Sequence, residues 1–151
     1  VPIMGCCKKL SVQVMRLRPE AVIPEFQTQG AAGCDLHSVR QVNIQPGTTE
    51  VIPTGLALAV PAGYELQVRP RSGLAAKHSL SVLNSPGTVD SDYRGEVKII
   101  IHNHGMISHL VNVGDRIAQA VFNKLPTVEF VEVEELAETD RGSGGFGSTG
   151  S

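Results

Sequence analysis

The sequence predicts an all-β domain, a sandwich or barrel of short strands. Three observations predict it. Turn signals built on Gly and Pro recur at intervals of roughly ten residues. Between them lie short stretches that alternate apolar and polar side chains, as at Leu10, Val12 and Val14. A single stretch, Ser72 to His78, reads as a helix. At 151 residues the chain forms one domain with enough length to bury one core.

Leu10 to Leu17 is the first strand, and Arg18-Pro19-Glu20 breaks it. Ala21 to Gln29, with Pro24, reads as an extended loop. Gly30-Ala31-Ala32-Gly33-Cys34-Asp35-Leu36 sets small residues around one acid. Val42 to Ile44, Thr49 to Ile52 and Leu56 to Val60 are short strands, divided by Gln45-Pro46-Gly47 and Pro53-Thr54-Gly55. Pro61-Ala62-Gly63 precedes the strand Tyr64 to Val68. Ser72 is placed to cap the helix, a hydroxyl oxygen accepting from the free N–H groups of the first turn. Leu80 to Leu83 and Val97 to Ile101 are strands flanking a hairpin-like element, the second an unbroken apolar run read as buried on both faces. Ile117 to Phe122 and Val128 to Val133 finish the body. Glu129, Glu132, Glu134, Glu135 and Glu138 form a solvated acidic approach to the end. From Asp140 onward the Gly/Ser composition cannot pack a core and is expected to be mobile.

Thirteen Lys and Arg stand against fifteen Asp and Glu, a formal net charge of -2. That balance argues against a broad electrostatic grip on nucleic acid, while leaving room for a local phosphate site. Three cysteines, Cys6, Cys7 and Cys34, have neither an even count nor Cys-x-x-Cys spacing. A reducing, cytoplasmic compartment fits them best, and neither a disulfide framework nor a zinc site is expected. No apolar run has the length to span a bilayer, so no membrane partner is expected. The N-terminus lacks the apolar core of a signal peptide. Met4 reads either as the natural start with tag residues before it, or as an internal residue of a native N-terminus.

Four stretches bear chemistry. Asn84 to Lys98 places Asp90, Asp92 and Tyr93 between Pro86-Gly87 and Arg94-Gly95. This is either a polar site on a strand-supported loop or a solvated turn with an Asp cap and a packed Tyr. Arg71-Ser72-Gly73 opens the helix. A guanidinium fork, a hydroxyl and a positive dipole end suit a phosphate, and the same residues also suit an ordinary cap beside a surface Arg. In the tail, Arg141 and Phe146 are the only large side chains of a glycine run. Glycines admit an anion close to the backbone, Arg141 can neutralise it, and Phe146 can stack on a nucleobase. The tail thus reads as a lid for a ligand with phosphate and base, or as a disordered end with an incidental Phe. Gly114-Asp115-Arg116-Ile117-Ala118-Gln119 opens a strand from a turn, with Asp115 and Arg116 as turn and ion pair and Gln119 facing the site. His102, His104 and His109 lack the spacing of a metal cage and read as solvent-facing or packed.

Five segments in order resemble the five motifs of the trimeric dUTP pyrophosphatases, the dUTPases. They are Ala32 to Leu36, Pro70 to Gly73, Asn84 to Gly95, Gly114 to Gln119, and Arg141 to Gly150. The first nine residues lie outside the resemblance.

The resemblance implies a β jelly roll, or β-clip, over residues 10–138, after an N-terminal extension (1–9) and before a C-terminal arm (139–151). It implies a homotrimer whose sites take residues from three subunits, each closed by an arm. The implied reaction is hydrolysis of dUTP to dUMP and pyrophosphate with Mg²⁺ on the triphosphate, which lowers dUTP and supplies dUMP for thymidylate synthesis. On this sequence, Asp90 matches the base that activates water for in-line attack on the α-phosphorus. Asp92 matches a structural turn residue. Tyr93 would pack under the deoxyribose and reject a 2′-OH. Asn84 would read uracil's polar edge, with main-chain groups at Gly87, Thr88 and Val89, in a pocket too narrow for thymine's methyl group. Lys98 matches a nucleotide contact. Arg71, Ser72 and Gly73 would hold phosphates, with Ser72 near the α–β bridge and Gln119 on the α-phosphate side. Arg141 would take the γ-phosphate, Phe146 would stack on uracil, and Gly147 would approach the nucleotide. Asp35 matches the acid that touches metal-bound water, not the metal itself. Two other readings remain: a dCTP deaminase on the same fold, and a binding module that has lost catalysis.

Overall fold

A computed structural model describes residues 9–148. Ten strands and one helix follow in chain order. They are β1 (Gln13–Arg16), β2 (Cys34–His37), β3 (Val42–Ile44), β4 (Thr49–Ala59), β5 (Tyr64–Arg69), α1 (Ser72–His78), β6 (Leu80–Val82), β7 (Gly87–Val89), β8 (Glu96–Asn103), β9 (His109–Val111) and β10 (Arg116–Lys124). One four-stranded sheet has the order β1-β4-β8-β6 and a second the order β2-β10-β5-β7, while β3 pairs with β9 alone. Every pairing is antiparallel. The all-β expectation holds, as a jelly-roll sandwich.

Alternation builds the core. In β8, Val97, Ile99, Ile101 and Asn103 are buried while Lys98, Ile100 and His102 face out. The unbroken apolar run is therefore not buried on both faces: Ile100 is half-exposed because, among the described residues, no layer covers the strand's outer face. The inward residues meet Leu36, Leu66, Val68, Ala118 and Ala120 of the second sheet in one cluster. Each fully buried Ile or Leu contributes about 1.5–3 kcal/mol by removal from water.

Other expectations are corrected by packing. Pro53-Thr54-Gly55 does not divide two strands, because β4 runs through it on a bulge opposite β8. There Gly55 takes φ 69 and fully buried Thr54 donates its hydroxyl to the Val97 carbonyl at 2.6 Å. The Gly30 to Leu36 segment, read only as small residues around an acid, holds β2. β7 and β9 are three residues each, too short to show a period. Val128 to Val133 is not a strand, and Val128, Phe130, Val131 and Val133 are all exposed. Asn103, fully buried, was not legible as a hub. Its amide donates to the Ile44 and Ile107 carbonyls, both at 2.9 Å, and its Oδ1 accepts from Gly105 N–H at 2.8 Å. No helix among the described residues is long and apolar enough to cross a membrane. Residues 1–8, including Cys6, Cys7 and Met4, lie outside the described residues.

Candidate active site

The segment between β6 and β8 is fixed at both ends and in the middle. β6 pairs with β8, Val82 opposite Ile101, so the hairpin-like expectation holds for its two arms. Its connection is more than a turn: β7 crosses to the second sheet and pairs with β5, Val68 opposite Gly87. Gly87 is buried, and a Cβ there would stand 3.2 Å from both Asn84 Nδ2 and Val68 Cβ. Its bareness lets the Asn84 amide lie against the strand. Asp90 follows β7 with its side chain exposed, and the Tyr93 N–H donates to the Asp90 carbonyl at 3.2 Å, closing the turn. Arg94 donates to the carbonyls of Ser91 and Tyr93 at 2.7 and 3.0 Å. The Tyr93 hydroxyl donates to the Glu96 carbonyl at 2.9 Å, and its ring lies over Gly95, where a Cβ would stand 2.4 Å from the hydroxyl. Glu96 in turn accepts from the Gly55 N–H at 3.0 Å, tying the hairpin to the β4 bulge. Thr88, Val89, Asp90, Tyr93 and Lys98 line one open hollow of about 310 Å³, with Val51 and Ile100 as its apolar floor.

A second patch forms on the other sheet. β10 lies between β2 and β5, with Gln119 opposite Asp35 on one side and Arg69 on the other. Arg71 Nε donates to Asp35 Oδ1 at 2.8 Å, and Arg116 approaches Asp35 Oδ2 at 3.9 Å. The expected partner of Arg116 was Asp115. Asp115 instead accepts the Asn112 N–H at 2.8 Å as a turn residue, leaving Arg116 to Asp35. Gln119 Nε2 donates to the Pro70 carbonyl at 3.0 Å. A Cβ on Gly33 would come within 2.6 Å of Gln119 Oε1, so Gly33 makes room for that side chain. Arg71 is the N-cap of α1, with φ -95 and ψ 130, and no side chain caps the helix. The Ser72 cap is thus corrected: Ser72 is the first helical residue, exposed, because Arg71 holds the extended geometry of the cap position. Burial pushes the His37 imidazole below its usual range, and its Nδ1 is buried without a partner. Burial, then the Asp35 charge, pushes the Cys34 thiol up, which leaves it protonated and unreactive.

The tail stands apart from both patches. Its hydrogen bonds among the described residues are local, as from Arg141 Nε to the Gly144 carbonyl at 2.9 Å. Phe146 is fully exposed at φ 52, next to Gly147 at φ 80. The expected site residues therefore fall in three places on one chain. Asn84, Gly87, Thr88, Val89, Asp90, Tyr93 and Lys98 belong to the hairpin. Asp35, Arg71, Ser72, Gly73 and Gln119 belong to the second patch, and Arg141, Phe146 and Gly147 to the tail. Arg71 and Arg116 line a hollow of about 250 Å³ that shares no residue with the hairpin hollow. The residues missed from sequence were Gly33, Gly95, Glu96 and Arg116 as Asp35's partner. Three of them act by contact across strands, which linear spacing does not display.

Among the described residues no three His, Cys, Asp or Glu side chains converge on a point that would hold a metal. His102 bonds Thr49 at 2.8 Å and His104 bonds Ser81 at 2.7 Å, as packed or solvent-facing rings. Asp35 is 18% exposed and keeps acceptor capacity on Oδ2, which suits a water of a hydrated Mg²⁺ better than direct coordination.

Residues 19–150 match the family model for dUTPase. Deoxyuridine 5'-triphosphate nucleotidohydrolase of Wolinella succinogenes is 57% identical over 147 residues, covering 97% of this chain and 99% of that protein. The enzyme of the same name from Helicobacter pylori is 52% identical over 141 residues, 93% of this chain and 97% of its own. Among solved structures, a dUTPase variant of Staphylococcus bacteriophage 80alpha with dUpNHpp superposes at TM-score 0.83. It is 30% identical, over 93% of this chain and 99% of that one. A dUTPase mutant of phage phi11, described with a structural Mg(II) ion, gives 0.79 at 27% identity, over 85% of this chain and 99% of that one.

Proposed function

This chain belongs to the dUTPase family, and from that premise we propose that it hydrolyses dUTP to dUMP and pyrophosphate at a site shared between subunits of a homotrimer. The observation that carries the shared site is the separation just described. One chain presents an acid-bearing nucleoside hollow, a phosphate-suited patch and an unattached arm, with no common lining. The exposed apolar segment supports it: Val128, Phe130, Val131 and Leu136 leave a surface that water does not favour and a second copy would cover.

In the assembled site, Asp90 accepts the proton of the attacking water and aims it at the α-phosphorus. Its carboxylate is exposed on a turn that the Tyr93 N–H closes onto the Asp90 backbone carbonyl, open to a water in the hollow. Tyr93, pinned through its hydroxyl to Glu96, presents its ring face to the deoxyribose and fills the space of a 2′-OH. Asn84 and the backbone at Gly87, Thr88 and Val89 read the uracil edge. Arg71, Ser72, Gly73 and Gln119 position phosphates, with Arg71 exchanging part of its Asp35 contact for the triphosphate. Arg141, Phe146 and Gly147 close over the γ-phosphate and base. Lys98 adds positive charge at the rim of the hairpin hollow. Bound Mg²⁺ would neutralise phosphate charge, and Asp35 would hold one of its waters. Positioning and charge neutralisation suffice for phosphoryl transfer. The product dUMP then feeds thymidylate synthesis, and the Gly/Ser arm, described over residues 139–148, is the moving part.

The test is pyrophosphate release from dUTP, dCTP, dTTP and UTP with Mg²⁺, for wild type and Asp90→Asn. Turnover of dUTP alone, lost by about 10²–10⁴-fold in the variant, is expected. Ammonia release from dCTP, or dUTP binding without turnover, would overturn the assignment.

A further inference from the structure

Helix α1 carries the phosphate-facing residues, yet little holds it. It is seven residues long, none of them buried, and Leu74 alone is packed against the core. A helix this short does not sustain itself in water. Its position therefore depends on its ends. At the first end Arg71 is tied to Asp35. At the other, the ring of His78 lies 4.5 Å from the ring of His109 on β9, tilted by 52°. The following Ser79 turns left-handed at φ 55, donates its N–H to the Ala75 carbonyl, and accepts the His104 N–H at 3.0 Å.

We infer that His78 and His109 are positioning residues that hold the C-terminal end of α1 against β9 and so keep the phosphate-facing residues at its other end in register, and that the hold weakens when both rings carry a proton. The inference rests on the dUTP-hydrolysing function for its kinetic readout. The surrounding charges support it. Lys77 stands in the same last turn as His78. Arg71 and Arg116 line the hollow that His109 also lines, and Asp115 is its only acid among the described residues. The negative end of the helix tolerates one imidazolium. A second, at this separation and beside Lys77, is repelled. The half-buried setting of His109 acts in the same direction, its proton affinity lowered by burial first and by His78 second, against a smaller opposing pull from Asp115. Neutral rings pack in this tilted contact, and doubly protonated rings push the C-terminal end of the helix from β9, which shifts Arg71, Ser72 and Gly73 at its other end.

The experiment compares wild type with His109→Phe and His78→Phe, each of which keeps a ring and removes a proton site. KM and kcat for Mg²⁺-dUTP are measured from pH 8 to 5.5. The substrate's own titration is common to all three and cancels in the comparison. Wild-type KM should rise toward pH 5.5 by roughly three- to tenfold more than in either Phe variant, with the kcat profiles superimposed. Superimposed KM profiles would overturn the inference. Amide exchange of residues 72–78 gives a second readout independent of turnover. Protection should fall with pH in wild type and hold in the variants, and equal protection would overturn the inference even if dUTP is not the substrate. Two variants guard against a failure of one to fold.

Discussion

Gly95→Ala should damage recognition while barely touching stability. A Cβ at this position would stand 2.4 Å from the Tyr93 hydroxyl, 2.6 Å from Cζ and 3.0 Å from Cε2. Gly95 does not have a positive φ, so alanine fits the backbone and only the ring must give. The ring is 44% exposed and can swing outward. Doing so forfeits the bond from the Tyr93 hydroxyl to the Glu96 carbonyl, worth about 1 kcal/mol. In a chain of this size that is a loss of roughly 2–4 °C in Tm. The displaced ring no longer forms the deoxyribose wall, and a misplacement of this kind costs about 10–100-fold in kcat/KM for dUTP. UTP should gain relative to dUTP. Steady-state kinetics on both nucleotides with a thermal melt check it, and Tyr93→Phe, which keeps the ring, should retain discrimination. Wild-type preference for dUTP over UTP in Gly95→Ala would refute the role given to the ring.

Two further outcomes follow from packing and from burial of titratable groups. Thr54→Val leaves the Val97 carbonyl without its 2.6 Å donor at a fully buried bulge and should lower unfolding stability by about 1–3 kcal/mol in urea titration. His37 and His109 are both held below the usual imidazole value of 6.5, in each case chiefly by burial. The unfolded chain then takes up protons first, so their contribution to stability is present above pH 6.5 and lost progressively as pH falls below it. Replacing both by Gln should flatten the change in urea midpoint between pH 7.5 and 5.5, and an unchanged slope would contradict the assignment.

Much of this was legible because period and punctuation carry it. The alternation in Tyr64 to Val68 and the length of Ser72 to His78 appear in the structure nearly as read. What failed was set by tertiary context. Pro53-Thr54-Gly55 has the composition of a turn, but Thr54 finds a buried carbonyl on β8 and the strand continues. Val128 to Val133 has the composition of a strand, but the described residues offer it no ladder. The site divides the same way. Glycines at 87 and 95 could be read as turns, while their use, making space for Asn84 and for Tyr93, depends on side chains packed beside them. The Arg71–Asp35 pair joins residues 36 apart, a distance along the chain that no local pattern spans.

Mixed oligomers test the shared site most directly. Asp90→Asn supplies an arm and a phosphate patch without a base, and a chain ending at Asp140 supplies the base without the arm. Each alone should assemble and turn over almost no dUTP. Coexpressed at equal levels, with mass measured in solution to confirm trimers, they should regain activity equivalent to about a quarter of wild-type sites, since random assortment pairs an intact base with a neighbour's intact arm at that frequency. No activity above the two parents in confirmed mixed trimers would mean that each chain closes its own site, and the shared-site account would be wrong.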